Sequence, residues 1–219
     1  MKRSSKVFLA RAISFLADFI RGRGYYHKYK KMYKYDLREI PSFKLISTLA
    51  QGRILDIGCG IGYLSSLFED YVGIDVNKKA INMAKKNTCG DYIIAGATDL
   101  PFSNHVFDAC VSYDFIEHTR NVKPVLAEMK RVSEKVVISC VDFSSYYRFF
   151  TYDETHQWLP TPDELFLTLR EFFIYVRLFR TSGLFVIPHF LNAFLSRCLP
   201  NQVVLEAFSR QTYKRAHRH

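Results

Sequence analysis

An aspartate followed by three closely spaced glycines is the part of the sequence best suited to hold a small ligand. Asp56, Gly58, Gly60 and Gly62 come at the end of a short apolar run, residues 54–57. Glycines permit a sharp backbone turn and let a ligand approach the main chain with no Cβ in the way. A carboxylate at Asp56 would oppose a pyrophosphate but would suit an ammonium group. The pattern therefore predicts a ligand with a cationic amino-acid end and no phosphate near the turn.

A second acid ends the next apolar run. Asp75 closes residues 71–75 and lies 13 residues beyond Gly62. A carboxylate at the end of an adjacent strand can accept two hydrogen bonds from the ribose hydroxyls of an adenosine. Val76 would then supply an apolar wall for the adenine. The alternative is a surface aspartate that ends a strand by chance.

Alternating strands and helices must position these residues. We expect strands at residues 54–57, 71–75, 92–95, 107–113 and 135–141, with helices at 63–69, 78–87 and 122–132. The helix from Tyr63 to Glu69 would point its unpaired N–H groups at the ligand. Residues 172–179 and 203–208 have the pattern of a closing antiparallel pair. Five strands in β–α order predict a parallel sheet covered by helices on both faces.

The motif D-x-G-x-G-x-G at residues 56–62 resembles motif I of the class I S-adenosylmethionine-dependent methyltransferases. The segment 96–102 resembles the adenine-binding loop of that family. Residues 114–118 resemble the L-E-H signature of its methyltransferase type 11 group, with Ile116 in place of the leucine. Residues 153–165 match the loop after the fifth strand and the helix that begins "TPEEL" in the family. The resemblance covers residues 50–210 and implies a seven-stranded, Rossmann-like, mostly parallel sheet with an antiparallel closing strand.

The resemblance also implies S-adenosylmethionine as cofactor and a set of residues that bind it. In that set, Asp99 accepts the exocyclic amine of the adenine and Leu100 packs on the ring. The full set consists of Asp56, Gly58, Cys59, Gly60, Gly62, Asp75, Val76, Asp99, Leu100 and Tyr113.

Two histidines are candidates for catalysis. His118 follows the fourth strand, and His156 lies in the loop after the fifth, on the expected substrate side. If catalytic, His156 would be the general base that takes a proton from a hydroxyl or a carbon acid as the methyl group arrives. The alternatives are that His118 orients a ligand or caps the next helix, and that His156 is structural.

Cysteine usage indicates a reducing compartment and no metal site. Five cysteines are scattered along the chain without a C-x-x-C pair. This is typical of buried thiols in a cytoplasmic protein, and it argues against both a disulfide framework and a zinc site.

The net charge of +10 is concentrated at the two ends of the chain. Residues 1–40 hold eleven Lys and Arg against three acids, and residues 205–219 hold four against one. Residues 5–21 form an amphipathic pattern that could pack on the domain or lie on a membrane. Residues 25–35 interleave five tyrosines with four lysines, which suits a lid over the ligand or, second, an RNA contact.

We therefore expect N-terminal helices and a lid at residues 1–49, and a methyltransferase domain at 50–219 with an apolar insertion at 183–200. The insertion favours a small, lipophilic substrate. The alternatives are an RNA methyltransferase acting on tRNA or rRNA, and a non-catalytic partner that binds the cofactor. A dinucleotide oxidoreductase is less compatible, because the glycine spacing is G-x-G-x-G instead of G-x-G-x-x-G.

Overall fold

The computed structural model describes residues 37–144, 155–181 and 202–209. Four sequence features with predicted roles lie outside these ranges: the amphipathic segment 5–21, the tyrosine-rich segment 25–35, the insertion 183–200 and most of the basic C-terminal tail. Among the helices of the described ranges, none has the length and apolar character needed to cross a membrane.

In the part of the chain that the structure describes, seven strands form one sheet. They are β1 (Arg53–Ile57), β2 (Asp70–Asp75), β3 (Asp91–Ile94), β4 (Ala109–Tyr113), β5 (Lys135–Val141), β6 (Tyr175–Thr181) and β7 (Gln202–Phe208). Their order is β3-β2-β1-β4-β5-β7-β6. All neighbours are parallel except β7, which runs antiparallel to both β5 and β6. The predicted Rossmann-like, mostly parallel sheet with an antiparallel closing strand is confirmed.

Among the described residues, four α-helices cover the two faces of this sheet. They are α1 (Pro41–Leu49), α2 (Lys78–Asn87), α3 (Val122–Val132) and α4 (Pro162–Arg170). Apolar residues of α1 and α2 join one buried cluster, and those of α3 and α4 join the other, on the opposite face. Because Phe43 and Ile46 are fully buried in the first cluster, α1 packs directly on the sheet.

Local signals explain where the helices begin. The Asn77 side chain accepts N–H bonds from Lys79 and Ala80, which starts α2 at the predicted residue. Thr161 and Glu164 form a reciprocal capping box at the start of α4. These polar caps satisfy N–H groups that the first turn of a helix leaves unpaired.

The predicted helix from Tyr63 to Glu69 is wrong in type and length. The segment forms a five-residue 3₁₀ turn, Tyr63–Leu67, between the glycine turn and β2. Only residues 58–69 separate β1 from β2. They must carry the chain from the carboxyl end of β1 back to the amino end of the neighbouring parallel strand β2. A 3₁₀ turn rises about 2.0 Å per residue against about 1.5 Å for an α-helix, so it spans more of that distance.

Candidate functional site

A small cleft lies at the carboxyl ends of the central strands. Its lining consists of Gly58, Ile74, Asp75, Val76, Ala95, Ala97 and Phe115. The strand order reverses direction between β1 and β4, and Gly58 and Phe115 follow those two strands. In open α/β sheets, ligands bind in the crevice at this reversal.

Most backbone N–H groups of the glycine turn donate hydrogen bonds to other residues of the protein. The N–H groups of Gly58 and Cys59 both donate to the carbonyl of Ile74, each at 2.9 Å. Gly60 N–H donates to Oδ2 of Asp75, also at 2.9 Å. The φ angles of Gly58 and Gly60 are 76° and 54°, in the left-handed region that favours glycine. The turn is therefore fixed against β2 before any ligand arrives.

Asp75 is the acid that this turn brings to the cleft. Its carboxylate is half-buried, and Oδ1 accepts the N–H of Asn77 at 2.7 Å while Oδ2 accepts that of Gly60. Each carboxylate oxygen can accept a second hydrogen bond. Val76, beside it, is 73% exposed. An oriented acceptor next to an open apolar surface suits a ribose joined to a flat base.

The two candidate catalytic histidines come together above the ends of β4 and β5. The ring centroids of His118 and His156 lie 4.7 Å apart, although 38 residues separate them in sequence. The Thr155 hydroxyl and Nδ1 of His118 are 2.8 Å apart, and the ring of Phe143 meets His156 edge-on at 5.3 Å. The N–H of His118 donates to the carbonyl of Phe115, so the pair lies one 3₁₀ turn from the cleft.

Comparison with known proteins identifies relatives of the central part of the chain. Residues 55–136 match a family model described as a methyltransferase domain. An uncharacterized protein of Methanocaldococcus jannaschii is 33% identical over 49% of this chain and 45% of its own length. The malonyl-[acyl-carrier protein] O-methyltransferase of Hamiltonella defensa is 32% identical over 36% of this chain and 33% of its own length. The chain thus spans about half of the first relative and a third of the second.

The fold is shared with a crystal structure of an S-adenosylmethionine-dependent methyltransferase of Thermotoga maritima, described as a possible histamine N-methyltransferase. The TM-score is 0.68 at 15% identity, with 85% of this chain and 96% of that chain covered. Residues 55–136 thus resemble a methyltransferase domain, and the chain shares its fold with a class I methyltransferase. Gly58, Asp75 and Val76, which line the cleft, are three of the ten residues predicted to bind a cofactor.

Asp56 lies deeper than predicted. Its side chain is 2% exposed, does not line the cleft, and accepts the Tyr71 hydroxyl at 2.5 Å. Burial raises the pKa of Asp56 to about 7, the bond from Tyr71 opposes that rise, and the nearby Asp75 adds to it. The structure therefore does not place this carboxylate where it would meet a ligand's ammonium group directly. The hydroxyl of Tyr71, on β2, already donates a hydrogen bond to this carboxylate.

Other predicted cofactor residues face the protein interior. Cys59 and Leu100 are 6% and 4% exposed and belong to the two buried clusters. The Tyr113 ring stacks on Phe43 at 4.3 Å, and its hydroxyl lies 3.2 Å from that of Ser42. Alternation along a strand explains Tyr113, since its face of β4 is the one covered by α1.

The remaining three predicted residues also lie off the lining of the cleft. A Cβ on Gly62 would lie 2.4 Å from the Tyr92 hydroxyl, so the glycine makes room for a tyrosine and not for a ligand. Gly60 reaches the site only through its N–H bond to Asp75. Asp99 is exposed on the loop after β3.

Four residues that line the cleft were not predicted from the sequence: Ile74, Ala95, Ala97 and Phe115. Ala95 and Ala97 follow β3 with a spacing of two, so both could face the same side of the chain. Small residues at this spacing after a strand were a usable signal for a wall of the cleft. Nothing in the sequence pattern distinguished Phe115 from a core phenylalanine.

An ion pair on α3 holds the predicted adenine loop in place. Nε of Arg131 lies 2.7 Å from Oε1 of Glu128, and its guanidinium donates to the carbonyls of Leu100 at 2.9 Å and Phe102 at 2.6 Å. Oε2 of Glu128 accepts the N–H of Leu100 at 2.8 Å. The bond from Arg131 lowers the pKa of Glu128. The loop is therefore held from below by two side chains that the sequence analysis did not single out.

Glu117 is fully buried between the cleft and the histidine pair. Neither of its carboxyl oxygens has a hydrogen-bond partner among the described residues. Burial, with Asp114 nearby, raises the pKa of Glu117 well above its usual range. Its backbone carbonyl accepts the N–H groups of Gln157 at 2.8 Å and Trp158 at 3.0 Å, which anchors the loop that carries His156.

Proposed function

We propose that the protein transfers a methyl group from S-adenosylmethionine to a small, lipophilic molecule. The observation that carries this proposal is Asp75, whose carboxylate is oriented by Gly60 and Asn77 at the rim of the cleft. An acid that is already held in place loses little entropy when it accepts ribose hydroxyls. The exposed side chain of Val76, next to Asp75, offers an apolar surface on which an adenine could pack.

The residues of the cleft fit the three parts of the cofactor. Asp75 would accept the ribose hydroxyls, and Val76, Ala95 and Ala97 would contact the adenine. Gly58 would leave the main chain open to the amino-acid end. When bound, the cofactor would supply a methyl group on a positively charged sulfur, and the C–S bond would break as the acceptor atom bonds to the carbon, so that the sulfur becomes a neutral thioether.

The histidine pair is proposed as the proton acceptor of the reaction. A hydroxyl or amine that attacks a methyl group loses its proton, and a neutral imidazole can take it. Contact with Phe143 and the hydrogen-bond distance to Thr155 hold the two rings in fixed positions. A hydroxyl substrate would need this base more than an amine, which attacks through its free lone pair.

The aromatic surroundings favour a small molecule with an apolar body. Phe143 belongs to the buried cluster on the α3 and α4 face of the sheet, and Phe115 and Trp158 pack against that cluster. The relative in Hamiltonella defensa is an O-methyltransferase that acts on a malonyl-acyl-carrier protein, which carries a small acyl group. An RNA substrate is the second candidate, favoured by the lysines and tyrosines of residues 25–35.

Calorimetry followed by a transfer assay tests the proposal. We expect the protein to bind S-adenosylmethionine and S-adenosylhomocysteine, and then to label a small-molecule or lipid fraction with radioactive methyl. Label in the RNA fraction, with affinity that falls steeply as salt rises, would favour the second candidate. Binding without transfer would indicate a non-catalytic partner protein. Binding of a nicotinamide dinucleotide but of neither sulfur compound would contradict the proposal.

A further inference from the structure

The side chain of Phe115 fills the space that the first glycine of the turn leaves open. A Cβ built on Gly58 would lie 2.2 Å, 2.3 Å and 2.7 Å from three carbon atoms of Phe115. Real Cβ atoms do not approach carbon so closely, so the ring rests directly against the bare Cα. Both residues line the cleft, and Phe115 is only partly buried.

The backbone before Phe115 has an unusual conformation that points the ring toward β1. Asp114 has a φ of 47°, in the left-handed region that non-glycine residues seldom adopt. Its N–H donates to the carbonyl of Ser139 at 3.1 Å, and its Oδ1 accepts Nε2 of Gln202 at 2.7 Å. Bonds to β5 and β7 thus fix the bend, while the ring itself is held mainly by contact with Gly58 and the cluster beside it.

We propose that Phe115 is a gate that occupies the amino-acid end of the cofactor site and must turn aside before the ligand enters. The proposal rests on the proposed function, since the space over Gly58 matters only if S-adenosylmethionine binds there. Asp114 keeps its bonds to β5 and β7 when the gate opens, so the movement needs only rotation of one side chain. Such rotations are fast, which lets the gate respond to ligand without refolding the loop.

A closed gate weakens apparent binding. The apparent affinity equals the intrinsic affinity multiplied by the fraction of molecules with the site open. Phe115→Ala removes the competing ring, and we expect it to bind S-adenosylhomocysteine about 3- to 10-fold more tightly, with faster association. Phe172→Ala is the matched control, because it removes a partly buried phenylalanine of the same cluster that does not line the cleft.

Calorimetry gives the affinities, and stopped-flow fluorescence of Trp158, the chain's single tryptophan, gives the association rates. Tighter and faster binding by Phe115→Ala, with the control within about twofold of wild type, supports the gate. Equal or weaker binding by Phe115→Ala overturns it, because the ring would then be neutral or a wall that contacts the ligand. No binding by wild type or either variant would overturn the proposed function, and the gate with it.

A second variant covers the case in which Phe115→Ala does not fold. Phe115→Leu keeps an apolar side chain against the cluster but lacks the flat ring that covers Gly58. We expect a gain in affinity in the same direction and smaller, about twofold. A loss of affinity in Phe115→Leu, with an unchanged melting temperature, overturns the gate.

Discussion

Asp56 and Asp75 lie near the ends of neighbouring strands, yet their carboxylates have different surroundings. Asp75 is half-buried and accepts two backbone N–H groups, whereas Asp56 is 2% exposed and bonded to a buried tyrosine. A buried carboxylate loses its hydration and becomes easier to protonate. A carboxylate at the rim can accept further hydrogen bonds from a ligand. The two acids therefore have different roles. Asp75 is placed to meet a ligand, and Asp56 is bonded inside the fold.

At Asp75 the expected effect is on ligand binding. Asp75→Ala removes the proposed acceptor of the ribose hydroxyls, and we expect the affinity for S-adenosylhomocysteine to fall at least about tenfold, or 1.4 kcal/mol. Asp70→Ala, at the exposed start of the same strand, is the control and should leave the affinity unchanged. Calorimetry checks both variants. Wild-type affinity in a folded Asp75→Ala variant would exclude the proposed ribose contact.

At Asp56 the expected effect is on stability as a function of pH. The folded-state pKa of about 7 exceeds the ordinary value of 3.8, so between these pH values the folded protein binds more protons than the unfolded chain. The free energy of unfolding attributable to Asp56 therefore falls as pH rises through this window. Asn does not titrate, so the free energy of unfolding of Asp56→Asn should fall less over this pH window than that of wild type. We expect the difference to reach at most about 4 kcal/mol.

Urea unfolding of wild type and Asp56→Asn from about pH 4 to about pH 8 measures this difference. Glu117 contributes a fall of the same sign in both proteins, so the comparison isolates Asp56. Parallel pH profiles for the two proteins would show that Asp56 titrates at its ordinary value when folded.

At the scale of elements, sequence signals were reliable wherever a side chain decides a boundary. Helices α2 and α3 and strand β5 begin and end at the predicted residues, because Asn77 and Asn121 cap the helices and a β-branched run forms the strand. The 3₁₀ turn after the glycines was mispredicted for the opposite reason. Its form is set by the distance between β1 and β2, which no local pattern in residues 63–69 encodes.

The brace between α3 and the loop after β3 was also invisible in the sequence. Arg131 contacts the carbonyls of Leu100 and Phe102 across about 30 residues of chain, and only the packing of α3 on the sheet brings them together. The same holds for the histidine pair, whose members were predicted separately. Long-range contacts of this kind depend on the whole topology.

This brace predicts an effect that is local to one loop. Arg131→Ala removes the bonds to two loop carbonyls, and we expect faster amide exchange in residues 96–104 and a several-fold loss of affinity for S-adenosylhomocysteine. Lys130→Ala, the exposed neighbour on α3, is the control. Hydrogen exchange read by mass spectrometry checks the loop directly. Unchanged exchange in the loop would mean that Glu128 alone is sufficient to hold it.

For the whole molecule, the reversed strand β7 joins the parallel sheet to its outer strand. Glu206 on β7 is 1% exposed and pairs with Lys135 of β5 at 2.9 Å and with Arg177 of β6. The prediction of an antiparallel closing pair came from the resemblance and from two apolar runs. The sequence did not reveal that a single buried acid connects the last three strands, because its partners lie far apart in the chain.

Removing that acid should destabilise the closing edge of the sheet. Glu206→Gln keeps the shape but leaves Lys135, whose side chain is 18% exposed, without a countercharge. We expect the free energy of unfolding to fall by about 2 kcal/mol. Arg177→Gln should cost less, because Arg177 is 61% exposed and the pair with Lys135 persists. Urea unfolding compares the two variants, and equal losses would contradict the assignment of Lys135 as the main partner.

The short connection from β1 to β2 has a consequence for competition inside a cell. Abundant nucleotides such as ATP share an adenosine with the proposed cofactor but carry a chain of phosphates on its 5′ carbon. The glycine turn has already donated its Gly58, Cys59 and Gly60 amides internally, and no α-helix follows to present others. A triphosphate placed there would meet an aspartate and an apolar ring instead of donors. The glycine turn would thus disfavour the binding of ATP at this site.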